Sequence, residues 1–382
     1  MSRALTVVQL LPALESGGVE RSTIEIAEAL VRAGHRAIVV SAGGRLLPAL
    51  LATGAEHVEL DIGRKSLLTL RHISALRRLI AESGADIVHA RSRLPAWIGW
   101  HALRAMPAAR PPAARPYLVT TVHGLNSPSR YSAIMTRGER VICVSQTVRD
   151  YVLQHYPQTD IHKLRVIPRG IDVAQFPRAP MPDRAARDAV AAIHPQLRGD
   201  GPLLLLAGRG TRLKGHADAL ALLAQLRAGG SDARLWMPGA REAGRERYIA
   251  ELERDAAQAG VADAVAITPP TSAIAQAYAA SDLVLQLSRK PEAFGRTVIE
   301  AFSVGRPVLG WAHGGVGELL RELQPQGAVA PFDGNALAAA ARALLAQPAA
   351  PAVTMSAYTL QAMQAATLAC YRELVDHDPT AG

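Results

Sequence analysis

Arg209 and Lys214 stand five positions apart in GRGTRLKG (208–215), and Glu292 and Glu300 flank seven residues, Phe294 and Gly295 among them, in PEAFGRTVIE (291–300). Two cations beside a glycine turn suit a diphosphate, which a guanidinium and an ammonium can neutralise without a metal. Charge compensation of that kind, supplied as a bond to the diphosphate breaks, is the electrostatic device that usually contributes most to catalysis. A carboxylate accepts hydrogen bonds from hydroxyls, so Glu292 suits the hydroxyls of a sugar and Glu300 a vicinal diol such as that of ribose. The amides of Phe294 and Gly295 fall at a helix start, where backbone N–H groups are free to meet ligand oxygens. Each residue also has a plain structural reading, the cations as solvated loop charges and each Glu as a cap or dipole partner.

These residues need strands and helices to bring them together, and the apolar pattern supplies both. GRGTRLKG follows the strand PLLLLAGRG (202–210) and precedes a helix from about 217 to 228; the Glu292 loop follows SDLVLQLS and leads into TVIEAFSVG. ARLWMPG, AVAITPP and RPVLGWA complete a strand set alternating with helices such as RERYIAELERDAAQAG. The N-terminal half alternates likewise, with LTVVQLLP (5–12), RAIVVSA, ADIVHA (85–90), YLVTTVHG (117–124), RVICVS (140–145) and LRVIPRGID (164–172). Short apolar strands alternating with helical stretches predict parallel, doubly wound sheets, and ligands in such sheets bind beyond the carboxyl ends of the strands. The expected organisation is a Rossmann-like domain at 1–175, a linker rich in proline and charge at 176–200 and a second Rossmann-like domain at 201–352. A C-terminal helix at 353–382 follows a Pro/Ala-rich break near 348–352 and crosses back onto the first domain.

Composition fits two such domains, because 382 residues with 49% hydrophobic content exceed one ordinary core. Lys and Arg outnumber Asp and Glu by 42 to 33, a formal charge of +9, which favours an anionic partner. Cys143 and Cys370 stand far apart without CxxC spacing, which argues against a disulfide framework or zinc site and fits a reducing cytosol. The apolar run Leu5 to Leu14 is short and has no cleavage pattern, and nowhere do 18 uncharged apolar residues follow one another; the expectation is a protein neither secreted nor spanning a membrane. Nucleic acid is an unsupported partner, since helix-turn-helix, zinc and RNP-like patterns are all missing.

After the first strand, ESGGVER places Gly17 and Gly18 where backbone N–H groups approach an anion at the next helix. This is not GxGxxG, and no acidic residue follows the second strand, so a dinucleotide-binding oxidoreductase is disfavoured. His123 in TTVHG and His89 in VHARSR follow strands, while His216 and His313 read as structural or as supporting groups.

Taken together, strand-GRGTRLKG-helix, then EAFGRTVIE and AHGGVGE, with LxPxxxxGGVER, TVHG and VSQTV in the first half, resemble the retaining family 4 glycosyltransferases of GT-B fold. The resemblance covers nearly the whole chain and implies two Rossmann-like domains facing each other across a cleft. It further implies that Arg209 and Lys214 bind the donor diphosphate, Glu292 the transferred sugar and Glu300 the nucleotide ribose. Gly17 and Gly18 would approach the phosphates or acceptor, and His123 the donor sugar near its reacting face. Glu292, Lys214, Arg209 and His123 are thus the expected catalytic set. No metal or other cofactor is implied, the nucleotide-diphosphate sugar being a substrate, and anomeric configuration is kept. Three departures stand out: Arg169-Gly170-Ile171-Asp172 where many relatives have N-G-V-D, Leu287-Ser288 where Pro-Ser is frequent, and Gly317 before Glu318 where proline is frequent.

In such enzymes the first domain receives the acceptor. Between Arg91 and Arg140 lie eight arginines, no lysine and one acid, Glu139, interleaved with Trp97, Trp100, Tyr117 and Tyr131. Arg91, Arg93, Arg130 and Arg169 are the candidates for a phosphorylated or acidic glycan or glycolipid. RKSLLTLRHISALRRLI reads as one amphipathic helix with Leu67, Leu70, Ile73 and Leu76 on a stripe beside Arg64, Lys65, Arg71, Arg77 and Arg78, which suits an anionic membrane surface as well as it suits an ordinary sheet-covering helix. The expectation is a cytoplasmic enzyme of cell-envelope (lipopolysaccharide) biosynthesis, peripheral on the inner membrane. The rivals are a sugar-nucleotide epimerase of the same fold and a non-catalytic sugar-nucleotide-binding protein. Backbone groups near Thr268 to Ser272 are the expected contacts of the donor base.

Overall fold

The computed structural model describes residues 3–106, 115–179, 181–346 and 355–376; the Pro/Ala-rich break at 348–352 lies outside them. The chain divides into two units, residues 1–168 with 360–382, and residues 169–359.

Seven strands build the sheet of the first unit: β1 (Thr6–Leu10), β2 (Arg36–Ser41), β3 (Glu56–Glu59), β4 (Ile87–Ala90), β5 (Tyr117–Val122), β6 (Arg140–Cys143) and β7 (Leu164–Val166). Their order is β3-β2-β1-β4-β5-β6-β7, every pair parallel, with Val8 of β1 opposite Ile38 on one side and Val88 on the other. β1 and β4 are apolar and fully buried at Val7, Val8, Ile87 and Val88, as strands covered on both faces require.

The helix Leu360–Asp376 belongs to this unit and buries Met363, Cys370 and Tyr371 in its core with Ile26 and Leu30 of the helix Gly18–Arg32. Polar contacts fix its register: Arg32 donates to Gln364 Oε1 at 2.6 Å, and Gln364 Nε2 donates to the Glu25 carbonyl at 2.7 Å. His89 is fully buried between the Tyr371 hydroxyl (2.6 Å) and Thr121 Oγ1 (2.7 Å), so it ties β4 to the helix and to β5 rather than facing solvent. Cys143 and Cys370 are both buried free thiols pushed up, to about 12 and about 11, by burial.

The second unit has six strands, β8 (Leu203–Leu205), β9 (Arg234–Pro238), β10 (Val265–Thr268), β11 (Leu283–Gln286), β12 (Val308–Trp311) and β13 (Ala328–Val329), all parallel in the order β10-β9-β8-β11-β12-β13. The fold is α/β with two doubly wound parallel sheets. In both, strand order reverses beside the first strand, between β1 and β4 and between β8 and β11, the place where open sheets bind ligands.

Three expectations change. Residues 169–175, read as part of the first domain, belong to the second unit, where Ile171 bridges Thr359 and its N–H donates to the Tyr358 carbonyl at 3.0 Å. The stretch read as a linker is likewise docked on that unit: Ala179 N–H bonds the Val304 carbonyl, Asp183 N–H the Ala279 carbonyl, and Arg187 pairs with Asp282 at 3.2 Å. The segment 64–80 is not one helix. Ser66 caps a 3-10 turn at Leu67–Arg71 and Thr69 Oγ1 donates to the Arg64 carbonyl at 2.6 Å, so the α-helix starts afresh at His72–Ser83. These local side-chain bonds compete with helix propagation and break the stripe, leaving Leu76 and Ile80 in the core and Leu70 exposed.

Candidate active site

In the second unit the loops after β8 and β11 meet. Lys214 Nζ lies 2.6 Å from Glu292 Oε1, both side chains about a quarter exposed. The Arg289 N–H donates to the Leu213 carbonyl at 2.8 Å, which stitches the two loops together one residue before Lys214. The approach requires Gly215: it has φ +78°, and a Cβ there would stand 2.0 Å from the Leu287 carbonyl oxygen. Lys214 closes the 3-10 turn Arg212–Lys214 that precedes the helix His216–Ala228. Arg209 is exposed, and among the described residues no carboxylate pairs with it.

Glu292 is held on three sides. Ser288 Oγ sits between Glu292 Oε1 and Gln286 Oε1, and the Gly315 N–H donates to the Glu292 carbonyl at 2.7 Å. His313 Nε2 lies 2.8 Å from the Ser288 carbonyl, so that nitrogen carries the proton. The GG of AHGGVGE explains itself here, since a Cβ on Gly314 would fall 2.6 Å from the Glu292 oxygen and one on Gly315 2.5 Å from Phe294. Phe294 is buried against Tyr358, and Gly295, with φ +150°, caps the helix Arg296–Val304. Glu300, on the second turn of that helix, accepts from the Tyr278 hydroxyl at 2.9 Å and pairs with Arg296 at 3.5 Å. Burial first, then the Glu300 charge, pushes the Tyr278 hydroxyl well above its ordinary range, so it is a committed donor. His216, beneath Lys214 in the chain, is fully buried and pushed down to about 4, mainly by burial; it is neutral at pH 7.

In the first unit the loops after β1, β4 and β5 enclose a cavity of about 330 Å³ whose lining includes Lys65, Arg91, Arg93, His123, Asn126 and Tyr131 and no carboxylate. His123 follows β5 at half burial, and the Tyr151 hydroxyl bonds the Asn126 carbonyl in the same loop. Arg93 bonds Ser132 Oγ at 3.2 Å and lies 5.4 Å from the Tyr131 ring centre. Arg91 departs from expectation. It is 3% exposed, its guanidinium spent on Ser22 Oγ, the Ser22 carbonyl and Thr23 Oγ1, and burial lowers it to about 10. It therefore braces the helix Gly18–Arg32 from the cavity wall rather than standing on an open basic face. Arg130, exposed, and Arg169, in the second unit, are not among the lining residues. Gly17 caps the helix Gly18–Arg32, and Gly18 has open space where a side chain would be.

Sequence reasoning missed Lys65 and Tyr131 as cavity residues, and Ser288 and Tyr278 as hydrogen-bond partners of the carboxylates, whereas His313, expected as a structural or supporting group, holds the Ser288 carbonyl beside Glu292. His313 carried a signal, a histidine immediately before the paired glycines; Tyr278, inside the short helix Ile274–Ala280, carried none. Thr268 is buried and accepts from Trp236 Nε1 at 3.0 Å. Among the described residues no group of three His, Cys, Asp or Glu side chains is placed to hold a metal, and no helix is long and apolar enough to cross a membrane.

Residues 16–175 match the model of Glycosyltransferase Family 4, and residues 192–359 that of Glycosyl transferases group 1. The whole chain superposes on a glycosyltransferase from Rickettsia africae with TM-score 0.86 and 27% identity, covering 99% of this chain and 100% of that one. Anabaena HepE in complex with UDP and glucose shares the fold, with TM-score 0.73 and 20% identity over 97% of this chain and 98% of that one. A D-inositol 3-phosphate glycosyltransferase of Geodermatophilus obscurus is 28% identical over 220 residues, 56% of this chain and 47% of that protein, so the match spans about half the relative's length. The chain belongs to the glycosyltransferases that join a family 4 N-terminal half to a group 1 C-terminal half, and its fold is GT-B.

Proposed function

We propose that the chain moves a sugar from a nucleoside-diphosphate donor to an anionic glycan or glycolipid, with retention of anomeric configuration. One observation carries the reading: Lys214 and Glu292, from different loops, stand 2.6 Å apart where strand order reverses between β8 and β11. The complex of Anabaena HepE with UDP and glucose supports a nucleotide sugar as donor.

In this reading Lys214 and the exposed Arg209 take up the charge that develops on the diphosphate as the C1–O bond breaks, which is why no metal is needed. Glu292 accepts from hydroxyls of the transferred sugar, and Glu300, oriented by Tyr278, from the ribose diol. The amides of Phe294 and Gly295 meet ligand oxygens at the N-terminus of the helix Arg296–Val304. The acceptor hydroxyl attacks C1 from the face the diphosphate leaves and gives its proton to the departing phosphate oxygen, so the protein supplies no separate base. His123 contacts the donor sugar near its reacting face, and Gly17 and Gly18 lie along the phosphates or acceptor.

The acceptor binds in the first unit, where Lys65 and Arg93 line a cavity without a carboxylate. A phosphate or carboxylate on the acceptor matches that lining. Exposed Leu68 and Leu70 beside Arg64, Lys65 and Arg71 support a lipid-linked or lipopolysaccharide-core saccharide at the cytoplasmic face of the inner membrane. Flotation with anionic liposomes tests that part, and a protein left wholly in the soluble fraction at low salt counts against it. The donor reading is tested by a thermal-shift screen over UDP-, GDP-, ADP- and TDP-sugars, followed by transfer assays with and without acceptor.

A further inference from the structure

Among the described residues Phe332 is the one non-glycine residue with positive φ, at +68°. A phenylalanine held in that conformation is strained, and the ring is 51% exposed, so burial of the ring does not explain it. Its neighbours do. The ring centre lies 5.8 Å from Trp311, 6.0 Å from His313 and 4.8 Å from the Arg289 guanidinium carbon. The same guanidinium is gripped by Asp218, with Nη1 at 2.7 and 2.9 Å from the two carboxylate oxygens. Asp218 sits in the first turn of the helix His216–Ala228, four residues after Lys214, and Arg289 stands three residues before Glu292.

We infer that Arg289, clamped between Asp218 and the strained Phe332, is a positioning residue that keeps the Glu292 loop in register with the Lys214 loop. Its N–H bonds the Leu213 carbonyl at 2.8 Å, and its guanidinium closes the outer side of the same junction. His313, edge-on to Phe332, holds the Ser288 carbonyl, so the ring braces Ser288 and Arg289 together at the start of Ser288–Glu292. A clamp of this sort acts on the relative placement of a cation and a carboxylate, to which transfer is more sensitive than donor binding. The inference rests on the reading of Lys214 and Glu292 as the donor pair.

The test uses the full chain with the donor that the screen selects. Arg289→Ala and Phe332→Ala each lower kcat by about tenfold, while the donor KM changes by less than about threefold. The double variant is no slower than Arg289→Ala, because Phe332 acts through Arg289. Arg289→Lys, which keeps the charge and loses the planar stack, recovers part of the rate. Phe332→Gly relieves the left-handed strain, so it melts no lower than Phe332→Ala yet transfers as slowly. Wild-type rates in the single variants, additive losses in the double variant, or recovery of activity in Phe332→Gly overturn the inference. Hydrogen exchange at the Arg289 and Gly315 amides needs no substrate and separates the two failures. Faster exchange there in Phe332→Ala, with no donor-dependent transfer by the wild type, supports the clamp and sinks the functional reading; unchanged exchange sinks the clamp.

Discussion

The two units share a sheet topology but place opposite electrostatics at the same point of it. Where strand order reverses in the second unit, Lys214 meets Glu292 at 2.6 Å. At the equivalent point in the first unit, Lys65 and Arg93 line a cavity with no acid among its walls, Arg91 beside them being spent on Ser22 and Thr23. A paired cation and carboxylate suit a ligand that is part diphosphate and part neutral sugar, whereas unpaired cations suit an anion. The topology supplies the place and the loop residues supply the chemistry.

The largest effect that can break this contrast is loss of the pair. Lys214→Ala should lower kcat by roughly 10² to 10³-fold while leaving the circular dichroism spectrum and melting cooperativity intact; undiminished turnover would remove the second unit from the chemistry. Glu292→Ala carries the same expectation.

Buried histidines sharpen the contrast next. His89 in the first unit is hydrogen-bonded at both nitrogens, whereas burial holds His216 at about 4. With a folded pKa below the usual 6.5, the unfolded chain binds the proton first as pH falls, so stability is full above 6.5 and declines between 6.5 and about 4. The full difference corresponds to at most about 3 kcal/mol. Thermal melts from pH 7.5 to 4 should follow that decline, and His216→Gln should flatten it; parallel curves would mean that the imidazole is not held neutral.

Tyr278→Phe removes the hydroxyl that orients Glu300. Donor affinity measured by calorimetry should fall by about tenfold, with acceptor KM unchanged.

The smallest effect belongs to the first unit. Arg93→Ala and Lys65→Ala should each raise acceptor KM about threefold to tenfold, more at low salt than at high, and leave donor affinity as it was. A matching loss of donor affinity would erase the division of labour between the units.

Much of this was legible before folding because the chemistry sits directly after apolar strands: GRGTRLKG and PEAFG follow β8 and β11 in the sequence and their loops meet in space. What was not legible depended on distant partners. Arg91 looks like any surface arginine until Ser22 and Thr23, nearly 70 positions earlier, take up its guanidinium. Tyr278 and Phe332 have no local pattern, since a hydroxyl aimed at Glu300 and a ring turned by one positive φ are tertiary facts. The segment 64–80 misled because its apolar spacing is helical while Ser66 and Thr69 bond the backbone locally and end the first turn.

The most direct measurement is calorimetric titration of the nucleotide sugar selected by the screen into the wild-type chain and into Lys214→Ala. Saturable binding to the wild type and at least about a hundredfold loss in the variant are expected if Lys214 grips the donor diphosphate. Equal affinity for both proteins would contradict that grip.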